Sequence, residues 1–374
     1  MMLGDGMVTL VIAGAGASYD CGWPESDAGR EILRPPLTNQ LLEADTFQLG
    51  GLDYLFIELE RRRKLHGKDF SLEDSIFEIY NSVALSGQWK GQFLAFRRAI
   101  GMFFDRFEEP SRRFSSNYTK LISSYSVRRR DGDILIFLNL NYDCLAEYAL
   151  NGRQAFRTFS AYLATDDRPI SLLHPHGTTR WYEPSRMLPP VRPEPADGGV
   201  EKLANSSDLI AYGQRGDVWQ NPEKIELSPA ISIPMREDFQ SKTKWPQSQH
   251  DEFERFAGKV TRVLSIGWAA KDMHILQLLA DHVALNVPVH VVSSNDAGEI
   301  VDRFRKVEFT NVTSESGGFS RFCEGDGNQS SGLDSFFGHE PISHPVRQFD
   351  LHDRLLVDSQ KLRPQLMRQE RSGK

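Results

Sequence analysis

Val11-Ile12-Ala13-Gly14-Ala15-Gly16-Ala17-Ser18 decides the fold of this chain. An apolar run ends in two glycines one residue apart, then a serine. Thr9 to Ala13 reads as a short buried strand, Gly14 to Gly16 as the turn after it, and Ala17 as the start of a helix. Such a turn lets backbone approach a phosphate, while the N–H groups of the next helix face the anion. Two readings stand at this point: a nucleotide phosphate site, or a tight strand-to-helix turn that holds nothing. The third glycine of GxGxxG would fall at Tyr19, and no acid is cleanly placed about 20 residues later, so the dehydrogenase fingerprint fails. GK[ST] occurs nowhere, so a Walker A loop is absent.

Four further stretches leave short apolar runs in the same way. Asp133 to Leu138 predicts a buried strand leading into Asn141-Tyr142-Asp143, with a helix around Leu145 to Leu150. Leu172-Leu173 leads into His174-Pro175-His176-Gly177. Arg262 to Ile266 ends at Gly267-Trp268, and Asp272 is placed to cap a helix from Met273 to Ala284. Val287 to Val292 ends at Ser293-Ser294-Asn295, with a helix over Ala297 to Phe304. Between the first two strands, Leu52, Leu55, Phe56 and Leu59 repeat with helical spacing, as do Phe93, Phe96, Ile100, Phe103, Phe104 and Phe107. The Phe-rich face is either core or a groove for a partner. Pro35-Pro36-Leu37-Thr38 breaks the chain, with Thr38 a candidate N-cap.

Strand–helix alternation around a helical block predicts an α/β class: a Rossmann-like, doubly wound parallel sheet with an inserted helical subdomain. The expected layout is one domain over 1–310, with the insert at about 45–130 and a long loop at about 183–250. Pro184, Pro189, Pro190, Pro193, Pro195 and Gly198-Gly199 mark that loop. Residues 311–374 are expected to form a loosely packed extension that could meet a partner.

Composition bounds the function. The 374 residues are 40% hydrophobic and 25% charged, as in globular proteins. A net charge of −7 argues against broad affinity for nucleic acid or an anionic membrane. The basic runs Arg61 to Lys64 and Arg128 to Arg130 read first as solvated helix ends. Cys21, Cys144 and Cys323 are isolated, so neither a disulfide framework nor a cysteine zinc ribbon can be built. No apolar run nears the roughly 20 residues that span a bilayer, and Met1 to Met7 carries no secretory pattern. A cytoplasmic location is the expectation.

Gly14-Ala15-Gly16-Ala17-Ser18, followed by Gly22-Trp23-Pro24, resembles the sirtuin opening Gly-Ala-Gly-Ile-Ser with Gly-Ile-Pro after it. Leu140-Asn141-Tyr142-Asp143 resembles the sirtuin Gln-Asn-Ile-Asp, and His176-Gly177 its His-Gly. Gly267 and the Ser293-to-Asn295 turn are similar to its later strand ends. These motifs keep sirtuin order over most of residues 8 to 300. The bacterial sirtuin-like branch, with Asn-Tyr-Asp and a tryptophan (here Trp181) after His-Gly, is the most similar. The resemblance implies NAD held by Gly14, Ala15, Gly16, Ser18, Asp143, Gly267, Ser293 and Asn295, with Asn141 and His176 catalytic. Asp143 would orient the Asn141 loop or contact the nicotinamide amide, or simply cap the next helix. Sirtuin deacylases carry a four-cysteine zinc module, which three cysteines cannot supply, and no metal is expected.

Branches without that module are similar to NAD-consuming effectors of anti-phage defence. The expectation is therefore NAD as a substrate cleaved to nicotinamide and ADP-ribose. A deacylase or ADP-ribosyltransferase, and a non-catalytic NAD-binding module, remain as alternatives. His174, Tyr142 and Trp181 are expected to be structural. The resemblance also implies restraint by homo-oligomerisation or by a defence partner: an ATP-driven translocase, an Argonaute or a nucleotide sensor.

Overall fold

The computed structural model describes residues 6–21, 53–67, 70–83, most of 96–104, 116–150, 156, 159–184, 210–211, 227–231, 246–324 apart from 296, and 331–338. In chain order the strands are β1 (Val8–Ala13), β2 (Ile134–Asn139), β3 (Ile170–Leu173), β4 (Gly177–Pro184), β5 (Ile210–Ala211), β6 (Leu227–Ile231), β7 (Val260–Ile266), β8 (Val289–Ser293) and β9 (Val312–Ser316). The helices are α1 (Ala15–Tyr19), α2 (Asp53–His66), α3 (Leu72–Val83), α4 (Asn117–Arg128), α5 (Leu145–Leu150), α6 (Gln247–Ala257), α7 (Met273–His282), α8 (Gly298–Lys306), α9 (Gly318–Glu324) and α10 (Gly332–Phe337).

Six strands form one sheet in the order β3-β2-β1-β7-β8-β9, and every neighbouring pair is parallel. A parallel sheet needs crossover helices, which cover both faces, so its strands are apolar throughout rather than on alternate residues. Every residue of β1 and β2 is buried accordingly. Val11, Ala13, Leu135, Phe137 and Leu264 point to one face, where Tyr118, Leu121 and Tyr125 of α4 pack with α9 and α10. Leu10, Ile12, Ile136, Leu138 and Val263 point to the other, against Phe253 and Phe256 of α6, Ile275 and Leu279 of α7, and Phe304 of α8. The doubly wound α/β fold expected from the apolar runs is the fold observed.

The helical block has a core of its own. Leu55, Leu59, Leu72, Ile76, Phe96, Ile100, Phe103 and Phe104 form a third buried cluster. The Phe-rich face is thus core over its described residues; Leu52, Phe93 and Phe107 lie outside them, as do Gly22, Pro24, Pro35 to Thr38 and Thr38's expected cap. Tyr142 joins this cluster to the sheet, its ring 5.8 Å from that of Phe104.

Two expectations need correction. The stretch expected as a loop over about 183–250 contributes the end of β4 and the strands β5 and β6, which with the rest of β4 form a second, antiparallel sheet in the order β5-β4-β6. Prolines obscured it, yet Pro184 sits at the end of β4 and Pro229 lies in the edge strand β6, where a missing N–H is tolerated. Residues 185–209, 212–226 and 232–245 lie outside the described residues. Likewise residues 312–338 are not loosely packed. β9 is the sixth strand of the main sheet, and Phe319, Phe322, Leu333 and Phe337 are buried in its core. The chain keeps packing past the expected boundary at 311. Short helices rich in Gly and Ser carry too little periodicity to reveal this. Residues 339–374 are not described.

Both basic runs are helix ends paired with acids. Arg61 and Arg62 bond Glu58 on α2 (2.8–3.0 Å), and Arg128 pairs with Asp334 on α10. Among the described residues no helix is long and apolar enough to cross a membrane.

From β1 the chain runs outward to β2 and β3, then returns to β7 on β1's other side. The order therefore reverses between β1 and β7, where open α/β sheets form a crevice beyond the strand ends. Backbone fills the floor of that crevice. Gly14 N–H donates to Ile266 C=O and Gly16 N–H to Gly267 C=O, both at 2.9 Å. A Cβ on Gly14 would lie 2.6 Å from Trp268 Cα, and one on Gly267 only 2.1 Å from Ala17 N. Gly267 also holds φ +58°, a region costly for other residues. Gly267→Ala is expected to lower the unfolding free energy by roughly 2 kcal/mol or more. Gly258→Ala, at φ −68° with no atom nearer than 4.0 Å, should change it by no more than about 1 kcal/mol. Urea unfolding of both variants checks this; equal small effects would contradict the interlock.

Candidate active site at the carboxyl edge of the sheet

All the expected site residues fall at carboxyl ends of the parallel strands. Gly14, Ala15, Gly16 and Ser18 follow β1, Asn141 and Asp143 follow β2, and His176 follows β3. Gly267 follows β7, while Ser293 and Asn295 end β8. They separate into an inner lattice, an adjoining histidine and an outlying pair.

Asn141 is the hub of the lattice. Its Nδ2 lies within hydrogen-bond reach of Gly14 C=O (2.9 Å), Ser18 Oγ (2.9 Å) and Tyr118 OH (3.2 Å), and its two hydrogens are shared among these three acceptors. Gly14's carbonyl can only accept, which fixes the amide orientation. Ser18 Oγ and Tyr118 OH are 3.0 Å apart, and all four residues are buried. The amide nitrogen is thereby committed to holding the glycine turn against the end of β2. The carbonyl oxygen, an acceptor, is the polar side-chain atom of Asn141 outside these three contacts.

Asp143 is 1% exposed, and its Oδ1 accepts the Leu145 N–H at 3.0 Å, so it does cap α5. Its other oxygen, Oδ2, is buried with no hydrogen-bond partner. Burial raises the carboxyl to about 6, against the opposing pull of the Ser18 hydroxyl and the Leu145 N–H. Burial, and then the Asp143 charge, also push the Tyr118 phenol well above its usual range, so it stays protonated.

The loop after β2 is tied to the loop after β3. Thr179 N–H donates to Tyr142 C=O at 3.1 Å, and Gly177, at φ +76°, closes a turn with its N–H on His174 C=O at 3.0 Å. This turn separates the two histidines. His174 points inward and is fully buried, with Nε2 3.4 Å from Glu147 Oε1. Burial opposes the charge on Glu147, but His174 and Arg180 hold its pKa below the usual value. Trp181 is also fully buried, its ring 5.6 Å from that of His174 and 5.1 Å from that of Phe159.

His176 points the other way. Its Nε2 is 2.7 Å from Oδ2 of Asp272, and the two side chains are 13% and 22% exposed. The imidazole is therefore screened yet within reach of a ligand. Burial works against ionisation of Asp272, but the hydrogen bond and charge of His176 outweigh it and lower its pKa. Asp272 was legible as a helix cap, which it is: its Oδ1 accepts the Ile275 N–H at 3.2 Å. Its bond to His176 spans 96 residues and had no local signal. Nor did Tyr118, which a helical pattern marks only as buried.

Other expected contacts are less supported. The N–H groups of Gly16 and Ala17, which a phosphate would need, already donate to Gly267 C=O and Gly14 C=O. Ser293 and Asn295 lie one strand farther out; Asn295 N–H turns back onto Ser293 Oγ at 3.4 Å, and Asn295 is exposed. On α6, His250, Asp251 and Glu254 lie close enough to share an ion, as exposed groups on one helix face often do.

No protein-family model matches the sequence, and comparison with curated proteins gives no match. Solved structures do give matches. A Sir2 homolog–NAD complex is 10% identical with a TM-score of 0.36, covering 85% of this chain and 87% of that one. A Sir2 homologue mutant in complex with ADP ribose is 13% identical, TM-score 0.34, covering 81% and 92%. A mutant Sir2 homologue with 2′-O-acetyl ADP ribose is 12% identical, TM-score 0.38, covering 86% and 91%. With scores this low, the α/β assignment rests on this chain's own strand order.

The raised Asp143 carboxyl predicts a pH effect. Unfolded, the group ionises near its ordinary 3.8; folded, near 6. Between these values the native state binds more protons, so this group makes stability fall as pH rises through the window, with no further change above it. The difference in urea unfolding free energy between wild type and Asp143→Asn should shift by roughly 3 kcal/mol between pH 3.5 and 7. A difference that stays flat across that range would contradict the assignment.

Proposed function

We propose that this chain is an NAD glycohydrolase that cleaves the nicotinamide–ribose bond to give nicotinamide and ADP-ribose. One observation carries the reading: a screened but reachable histidine, His176, sits in the loop after β3, which is hydrogen-bonded to the loop after β2 that carries Asn141. The sequence motifs Gly14-Ala15-Gly16-Ala17-Ser18, Asn141-Tyr142-Asp143 and His176-Gly177 supply the substrate class by their resemblance to sirtuins.

The chemistry asks for little acid help. The nicotinamide of NAD is already a cationic leaving group, and the transition state at ribose C1′ resembles an oxocarbenium ion. Water supplies an electron pair to C1′ as the C1′–N bond breaks, and that bond's electrons neutralise the pyridinium. His176 takes the proton lost by the water. The Asn141 carbonyl oxygen accepts from the water or from a ribose hydroxyl and so orients it. The partnerless Asp143 Oδ2 suits the N–H of a carboxamide, which is the donor nicotinamide carries. With three cysteines in the chain, the four-thiolate zinc module of deacylases has no counterpart, which favours water over an acyl-lysine as the acceptor.

An enzyme that depletes NAD must be restrained until triggered. We place that restraint in self-association or in a defence partner, with residues 183–250 and the chain beyond 338 as the candidate contacts. The site lies within the described core, so restraint would act on access or on loop geometry.

The test is turnover of NAD followed by nicotinamide release, with NAD affinity measured separately by calorimetry. His176→Ala should lose about 10²- to 10⁴-fold in kcat, the contribution of a positioned base, and still bind NAD. Asn141→Ala should lose turnover and some stability together, because its amide also holds the turn. Full activity in both variants would sink the proposal. Tight NAD binding with no turnover, alone or assembled, would identify a binding module instead.

A further inference from the structure

We infer that Asp272 is the positioning residue for His176: it holds the ring in one tautomer and one orientation, and it stabilises the imidazolium formed when the water gives up its proton. The inference rests on the hydrolase reading above and adds a second residue to its machinery.

The two oxygens of Asp272 have separate tasks. Oδ1 accepts the Ile275 N–H at 3.2 Å and caps α7, while Oδ2 meets His176 Nε2 at 2.7 Å. Rotating the carboxylate to release the histidine would also uncap the helix, so its direction is fixed by the fold. The N-terminus of α7 favours a negative charge at this position. An ionised carboxylate can only accept, so Nε2 must carry the hydrogen. A neutral imidazole has one N–H, and its lone pair is then on Nδ1. A cation formed by protonation at Nδ1 keeps a charge-assisted hydrogen bond to Asp272. His274, in the first turn of α7, is a further titratable group that bears on Asp272, and Lys271 is its neighbour in sequence. The bond joins the loop after β3 to the switch point at the end of β7, so His176 is positioned by the same crevice that the glycines build.

Asp272→Asn separates positioning from folding. Asparagine keeps a carbonyl to cap α7, but its amide presents a donor to Nε2 and selects the opposite tautomer. The expected result is a thermal midpoint close to wild type, NAD affinity within about threefold, and kcat reduced roughly 10²- to 10⁴-fold, as for the wrong tautomer at an aspartate-oriented histidine. Nitrogen NMR of labelled histidines, with His176→Ala for assignment, reads the tautomer without turnover: Nε2–H in wild type, Nδ1–H in Asp272→Asn. Unchanged kcat in Asp272→Asn overturns the inference, as does a wild-type ring protonated only at Nδ1. Wild-type protein with the expected tautomer but no NAD turnover overturns the hydrolase reading and supports the pairing itself.

Discussion

The backbone-to-backbone contact between the ends of β1 and β7 is the constraint on which the rest depends. Gly14 and Gly16 face Gly267 and Trp268 so closely that no Cβ fits between them, and two N–H···O bonds at 2.9 Å join the turns. This contact sits where the sheet order reverses. It packs the start of α1 against Gly267 at the end of β7.

That contact also changes what the glycines mean. In sequence they suggest room for a phosphate. In the fold their small size is used by the protein itself, and two of the N–H groups expected for an anion are already bonded. On the proposed reading, specificity then depends more on the polar lattice beside the turn. Asn141 commits its amide nitrogen to the scaffold, and the proposed function gives its carbonyl oxygen to a ligand. Asp143 commits one oxygen to α5 and leaves the other buried and partnerless. Each side chain anchors the fold, so on the proposed reading mutational losses of activity and stability will overlap. His176 is the exception, since its ring is held by Asp272 and carries no part of the core.

The parallel sheet was legible because both its faces are covered. Stretches such as Leu135-Ile136-Phe137-Leu138 are apolar at every residue and end in polar turns, a pattern that needs no long-range information. Asp272 was legible as a cap for the same local reason. The second sheet was not, because Pro184 and Pro229 read as breaks where they mark a strand end and an edge. Nor was the packing of 318–337, whose two short helices bury four aromatic or aliphatic side chains with no repeat long enough to see. The His176–Asp272 bond and the place of Tyr118 beside Asn141 join residues far apart in sequence, and only the assembled sheet edge brings them together. The motif spacing therefore located the strand ends that carry the candidate site, but not which of their atoms are already in use.

The most direct measurement is a mass balance on NAD incubated with the wild-type chain, purified and as assembled in cells. The account predicts that nicotinamide and free ADP-ribose appear in equal amounts, with NAD lost to match. Intact NAD in both settings, or ADP-ribose recovered only on a protein or an acyl group, would contradict it.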